Sequence, residues 1–326
     1  MNYQNYLEKI QIVNQSDLGA SVLILLDLEG ILGVRSMRPL STVVQLAYKE
    51  IALVSSRLKN AGYYKIVVCN IHNQGTDLER SILENMGISL LPGINTLLAT
   101  IKQFSFAVMI GFHGKSNSGG RFDHTFRMDF RYLRYAGHSM GEVGLYARLL
   151  MSEGVPVALI SGEGNFSDEV DEFDIAIVSS THNSIQEYTS TLDAVLNQKV
   201  FPLYHFPREK VVVQVDNPDK YYILKNFPYC NQQEQCFCFP SIRCFFEHLY
   251  DFAYMLNHAS ELIFKGNMDF ILWIEKNHKK DHSLKHLLSD YLSKDVMLLS
   301  SYDRIEIAER VGVKYEAFHT NYFKML

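Results

Sequence analysis

Residues 21–30 read SVLILLDLEG, an apolar run that stops abruptly at Asp27, Glu29 and Gly30. An unbroken apolar run of this length reads as a strand buried on both faces, because a half-exposed strand would alternate. The same grammar recurs downstream. Val44, Ala47, Ile51, Val54 and Leu58 step by three and four, predicting a helix from about Ser41 to a stop at Gly62. Lys65–Cys69 (KIVVC) is the next strand and ends near His72, and a short helix follows over Asp77–Met86. Ser105–Ile110 (SFAVMI) ends at Gly111, Phe112 and His113, and Val155–Ile160 (VPVALI) ends at Ser161, Gly162 and Glu163. Strands alternating with helices imply an α/β fold with three layers, a mainly parallel sheet flanked by helices. In such sheets ligands bind beyond the carboxyl ends of the strands, so Asp27, Glu29, His72 and His113 are expected at one rim.

Between these strands, Gly114–Arg121 (GKSNSGGR) has the composition of a mobile loop. His124–Tyr135 reads as extended, with Ala136-Gly137 as a hairpin turn. A helix opens at Gly141-Glu142 and runs to Glu153, with Gly154 as its stop. The acidic stretch Asp168–Asp174 (DEVDEFD) reads as a solvated helix or loop. Further on, Val211–Val215 reads as a strand, and Phe245, Phe246, Leu249, Phe252, Leu256 and Leu262 mark an amphipathic helix ending at Gly266. Asp303–Val313 faintly echoes the first helix and turn of a DNA-reading motif, but a plain helix stopped by Gly312 fits better. The domain expectation is a tail at 1–19, a metal-binding α/β catalytic domain at 20–200, a smaller second α/β subdomain at 201–266, and a helical C-terminal extension at 267–326.

Composition bounds the function. Apolar residues are 47% and charged residues 21% of 326, which excludes wholesale disorder and leaves a large core without disulfide or metal staples. A metal would therefore serve chemistry rather than folding. The net charge of -5 argues against nucleic-acid binding and against a basic membrane patch. The N-terminal segment lacks the basic-then-apolar pattern of a secretory signal, and no apolar run approaches a membrane span, so the cytoplasm is the expected location. Cys230, Cys236, Cys238 and Cys244 are spaced C-x5-C-x-C-x5-C, without the paired C-x2-C knuckles of a structural zinc site. Cys236 and Cys238 would share one face of a strand at Gln235–Phe239, yet reduced, mostly buried thiols are the favoured reading over a metal or disulfide cluster.

Asp27, Glu29, His72, His113 and Glu142 form an N/O ligand set suited to zinc and its divalent neighbours. Three carboxylates and two dications would be neutralised by one bridging hydroxide. Each residue also has an ordinary alternative: turn caps for Asp27 and Glu29, a loop histidine for His72, a rim histidine for His113 and a first-turn glutamate for Glu142.

The ordered motifs resemble the M55 family of zinc D-aminopeptidases, of the bacterial dipeptide-operon type. Asp27-Leu28-Glu29-Gly30 is similar to the family's D-x-E-G opening, Val68–His72 to its strand-ending histidine segment, and Ile110–His113 to its G-[YF]-H segment. Asp123-His124-Thr125 is similar to its S-H-S segment and Gly141–Leu145 to its G-E-[LV]-G-L helix start. The resemblance covers about residues 20–165. It implies two zinc ions per chain, bridged by Asp27, with Glu29 and His113 on one and His72 and Glu142 on the other. His124 matches the family's catalytic histidine, and general acid/base help to an activated water is its simplest role. Glu163 stands where the family has Gly-Asp-Asp, and is the candidate anchor for a substrate amine. Cys69-Asn70 replaces the family's Asn-Asp, and both departures bear on D-specificity. The implied function is an aminopeptidase or amide hydrolase for a peptide or small amide with a free D-configured N-terminal residue, working as a homo-oligomer. The alternatives are a catalytically silent metal- or peptide-binding scaffold of the same fold and a metal-dependent amidase for a specialised, natural-product substrate.

Overall fold

A computed structural model describes residues 9–14, 21–181, 183–198, 200–206, 208–277 and 301–310. In chain order the elements are β1 (Lys9–Asn14), β2 (Ser21–Leu26), α1 (Leu40–Asn60), β3 (Lys65–Asn70), α2 (Arg80–Asn85), β4 (Ser89–Pro92), α3 (Gly93–Thr100) and β5 (Phe106–His113). Then come β6 (Phe130–Tyr135), β7 (His138–Ser139), α4 (Glu142–Ser152), β8 (Val157–Glu163), β9 (Ala176–Ser179), α5 (Ile185–Gln198) and β10 (Val200–Tyr204). The remainder is β11 (Val211–Val215), α6 (Asp219–Ile223), β12 (Cys230–Asn231), β13 (Cys236–Phe239), α7 (Ile242–Asn277) and α8 (Ser301–Arg310).

The described residues divide into two units, the first drawn from within 9–128, 132–211 and 240–247, and the second from within 129–131, 212–239 and 248–310. The first unit is built on a six-stranded sheet of order β4-β3-β2-β5-β8-β9. Every pairing in it is parallel. All six residues of β2 are buried, as a central strand covered on both faces requires. On one face Val22, Ile24 and Leu26 pack with Val43, Ala47, Ile51, Val54 and Leu58 of α1 and with Tyr188 and Leu192 of α5. Helix α4 packs against β5 and β8. Strands β1 and β10 pair antiparallel as a separate two-stranded sheet, with Ile12 opposite Pro202.

Two strands run further than their apolar cores suggest. β5 continues through Gly111 and Phe112 to His113, and β8 through Ser161 and Gly162 to Glu163. Register explains this: Phe112 pairs with Gly162 and His113 with Glu163, so the polar ends are still held in the ladder. The expected hairpin turn at Ala136-Gly137 is present, both residues having positive φ between β6 and β7. The second helix is shorter than expected, because residues 72–75 form their own turn and Glu79 is still extended.

The acidic stretch departs from its expected solvation. Asp168 and Asp171 are exposed, but Glu169 is buried with its neighbours Phe166 and Val170. Its carboxylate accepts the N–H groups of Gly141 and Gly144, donors at the start of a helix that have no partner within the helix.

In the second unit β13 lies between β11 and β12. Phe227, Phe237, Phe239 and Phe252 form its aromatic core, with Phe252 ring centroids 5.4, 4.7 and 5.3 Å from the other three. Helix α7 does not stop at Gly266 but continues to Asn277. A mid-helix glycine costs only about 1 kcal/mol, and buried Ile263, Phe270 and Ile271 outweigh it. Arg304 of α8 donates to Asn267 and Asp219. The stop expected at Gly312 lies outside the described residues. Among those residues no helix is long and apolar enough to cross a membrane.

Candidate metal centre

The strand order reverses between β2 and β5. From β2 the chain moves outward to β3 and β4, then returns to build β5, β8 and β9 on the other side. The carboxyl ends flanking such a reversal form a crevice, and loops leave it in opposite directions. Here the segment leaving β2 is drawn against β5. Asp27 N–H donates to Ile110 O at 2.9 Å, and Gly30 N–H donates to Gly111 O at 2.8 Å. The approach is possible only with glycine. A Cβ on Gly30 would lie 1.7 Å from Phe112 O, and one on Gly111 would lie 2.1 Å from Asp27 O.

This packing delivers the predicted residues to one place. Asp27 and Glu29 follow β2, His72 follows β3, His113 ends β5, and Glu142 opens α4, where the helix dipole favours its charge. His113 Nε2 is 3.4 Å from Asp27 Oδ2 and 3.5 Å from Glu142 Oε1. His72 Nε2 is 3.4 Å from Glu29 Oε1. His124, on the irregular segment before β6, stacks on His113 with ring centroids 4.2 Å apart and planes 8° apart. Its Nε2 is 3.8 Å from Glu142 Oε1. Among the described residues, the ligand atoms of Asp27, His113 and Glu142 lie within 4.8 Å of one another, as do those of Glu29, His113 and His124.

All three imidazoles are oriented alike. His113 Nδ1 is 2.9 Å from Gly114 O, and His124 Nδ1 is 2.9 Å from Phe122 O. A carbonyl only accepts, so the ring N–H at each Nδ1 is the donor and each Nε2 is turned toward the cluster. His72 Nδ1 lies 2.8 Å from Asp77 Oδ2, which also accepts from Asn70 Nδ2 at 3.2 Å. A carboxylate behind a histidine in this way fixes the tautomer and strengthens Nε2 as a ligand.

Inside the cluster, Asp27 Oδ2 and His113 Nε2 are buried and have no hydrogen-bond partner. Leaving such groups unpaired is costly, and a cation between them would satisfy both. The electrostatics agree. Burial, reinforced by Glu29 and Glu142, pushes the Asp27 carboxyl well above its usual range. Burial opposes a charge on His113, but Glu142, Asp27 and Glu29 overcome it and raise its pKa to about 10. Burial likewise opposes charge on Glu142, yet His113 beside it holds the carboxyl below its ordinary value. The three carboxylates thus draw positive charge into the cluster. The donor set of imidazoles and carboxylates fits zinc or a similar divalent ion.

Glu163 ends β8 level with His113, and both of its carboxylate oxygens accept the Arg121 N–H, at 3.2 and 3.3 Å. That bond, with Gly120 N–H to Asp123 Oδ2 and Asn165 Nδ2 to Ser118 O, ties down the glycine- and serine-rich loop expected to be mobile. Glu142 Oε1 also accepts the Phe126 N–H at 2.7 Å.

Sequence reasoning missed the outer supports. Asp77 carried no signal beyond its place five residues after His72. Glu50 is buried inside α1 and accepts from Leu32 N–H, Ser161 Oγ and Tyr188 OH, fixing the segment after β2 to the sheet. Its signal was a charged residue beside Ile51 on the apolar stripe of the helix.

Comparison with known proteins adds two findings. The model of the peptidase M55 family, described as D-aminopeptidase, matches residues 21–195. No curated protein sequence matches. Among solved structures, the Zn-dependent D-aminopeptidase DppA from Bacillus subtilis, a self-compartmentalizing protease, superposes with a TM-score of 0.61 at 17% identity. The match covers 73% of this chain and 97% of that chain. At that identity the likeness establishes the shared fold.

Proposed function

This chain belongs to the peptidase M55 family of D-aminopeptidases, metal-dependent hydrolases, and on that premise we propose that it is a cytoplasmic dinuclear zinc aminopeptidase that removes D-configured N-terminal residues. The observation that carries this reading is the pair of orphaned buried atoms, Asp27 Oδ2 and His113 Nε2, inside a ring of acidic and imidazole donors. Asp27, Glu29, His72, His113 and Glu142 are the proposed ligands. Zinc held there supplies a Lewis acid for a carbonyl and a water acidic enough to react at neutral pH.

The chain's own groups do the rest. His124 keeps its proton on Nδ1 through Phe122 O, leaving Nε2 free to take a proton and return it to the departing amine. Stacking on His113 fixes the plane of its ring, while partial exposure leaves it reachable by a substrate. Glu163 is the proposed partner of the substrate's ammonium group. It ends its strand at the level of His113, so an amine held there would sit one strand away from the metal ligands. By analogy with the self-compartmentalizing neighbour, the chain is proposed to assemble with copies of itself.

The test is a set of variants assayed against D- and L-aminoacyl amides, with zinc content read by elemental analysis. His113→Ala and Glu142→Ala are expected to lose zinc and all measurable turnover. His124→Ala is expected to keep zinc and lose about 10²–10⁴-fold in kcat. Parent-like zinc content and turnover in His113→Ala and Glu142→Ala would overturn the assignment. Zinc bound by the parent with no cleavage of any amide would favour the silent scaffold instead.

A further inference from the structure

The second unit carries a cluster that the hydrolase reading does not use. β13 is extended, so Cys236 and Cys238 project from the same face, and their Sγ atoms are 3.4 Å apart. The turn before β13 brings a carboxylate to them. Glu234 N–H donates to Asn231 Oδ1, Gln235 takes a left-handed φ of 48°, and Glu234 Oε2 comes within 3.8 Å of Cys236 Sγ. The three ligand atoms lie within 4.8 Å of one another.

We propose that Glu234, Cys236 and Cys238 form a second metal site, selective for a thiophilic dication of the zinc class and sharing no residue with the sheet-rim centre. Donor spacing supports it. Ligand bonds of about 2.0–2.3 Å in a tetrahedron set neighbouring donors roughly 3.5–3.8 Å apart, which is close to the spacing already present. Two thiolates and one carboxylate select zinc or cadmium over magnesium, calcium or manganese. Three protein ligands leave a fourth position. Cys238 lines an open cleft of ≈ 410 Å³ with Lys225, Tyr229, Gln232 and others, which gives an ion a way in and room for water.

A disulfide explains the pair less well. All five cysteines are free thiols. Alternate residues of a strand have Cα atoms about 6.6 Å apart, at the far end of what a disulfide spans without moving backbone. Binding would break two S–H bonds, form two sulfur–metal bonds and release two protons to solvent, with no change in oxidation state.

The experiment is a cadmium titration of the full, zinc-free chain, following sulfur-to-metal charge-transfer absorption in the ultraviolet. The rim set contains no sulfur, so it stays silent in this readout. One equivalent of charge-transfer absorption is expected, lost in the Cys236→Ser/Cys238→Ser variant and displaced about tenfold or more toward higher cadmium in Glu234→Gln. An absent band, or one unchanged by the double substitution, would overturn the proposal. Should the double variant fail to fold, alkylation of the parent with iodoacetamide decides. Zinc is expected to protect Cys236 and Cys238 from labelling, with protection reversed by chelator. Equal labelling with and without zinc, or a Cys236–Cys238 disulfide formed in the presence of zinc, would sink it.

Discussion

The sheet rim and the β12–β13 hairpin assemble their donors in opposite ways. At the rim, Asp27, Glu29, His72, His113 and Glu142 arrive from four strand or helix ends, separated by up to 115 positions from the first to the last. In the hairpin, Glu234, Cys236 and Cys238 come from one turn and the strand that follows it. The rim donors are nitrogen and oxygen atoms, buried except for the half-buried His72, and their two histidines are backed by hydrogen bonds to Asp77 and to Gly114 O. Two of the three hairpin donors are soft thiols, and the set needs only that β13 be extended and the turn before it hold Glu234 in place. A non-local site is as accurate as the sheet beneath it, whereas a local one depends on a few backbone angles. The contrast makes the rim the more fragile of the two.

Gly30→Ala should break that comparison hardest. The added Cβ would fall 1.7 Å from Phe112 O and 2.7 Å from Glu163 N, and both are backbone atoms of strands that cannot retreat singly. The expected result is a loss of more than about 4 kcal/mol in denaturant unfolding, with zinc lost from the rim. A variant within about 1 kcal/mol of the parent would show that the segment after β2 can move aside, and that the rim is not built by this close approach.

The same contrast explains what was legible in the sequence. SVLILL, KIVVC and SFAVMI announced buried parallel strands because apolar runs report burial directly, and the residues after them fell at the carboxyl rim as that fold requires. Five motifs in order then identified the family, which the family model supports over residues 21–195. The supports were not legible. Asp77 matters because two left-handed residues, Asn73 and Gln74, fold the loop back on His72, and such angles leave no clear mark in composition. Glu169 lay in an acidic run whose three aspartates are exposed, and it is buried together with Phe166 and Val170 beside it. The length of α7 was misjudged because glycine ends helices only where packing does not continue. At the cysteines, C-x-C spacing could not say whether the side chains would be close enough to share an ion.

Glu169 offers the next largest test, through pH. Burial raises its carboxyl to about 7, against the bonds from Gly144 and Gly141 that favour the charged form. A raised folded-state pKa means that the native chain holds a proton the unfolded chain has released. The stabilising contribution is therefore complete below the unfolded carboxyl pKa and disappears as pH rises through about 7. The difference amounts to about 3 kcal/mol over that window. Unfolding free energies of the parent and Glu169→Gln, measured from pH 4 to 8, should diverge in slope across this range, with the variant flatter. Parallel curves would mean that Glu169 is ionised throughout, held by the two N–H groups at the start of α4. Either outcome bears on the rim alone, because Glu142 is the first residue of the helix that Glu169 caps.

Asp77→Asn gives the smallest and most selective effect. Asp77 touches no other rim donor than His72, through the 2.8 Å bond to Nδ1, and together with Glu29 it holds His72 above its ordinary pKa against the opposing effect of burial. An amide oxygen can keep the hydrogen bond and the tautomer but removes the negative charge behind the ring, so Nε2 becomes a poorer donor. Losing such an outer support should weaken metal affinity at the rim by about tenfold while leaving the fold intact. Competition with a chromophoric chelator would measure this, and cadmium absorption at the hairpin should stay at its parent value. Equal weakening at both places would mean that Asp77 acts through general stability. An unchanged rim affinity would mean that His72 contributes little to holding the ion, and that Asp27, His113 and Glu142, mutually within 4.8 Å, carry the binding.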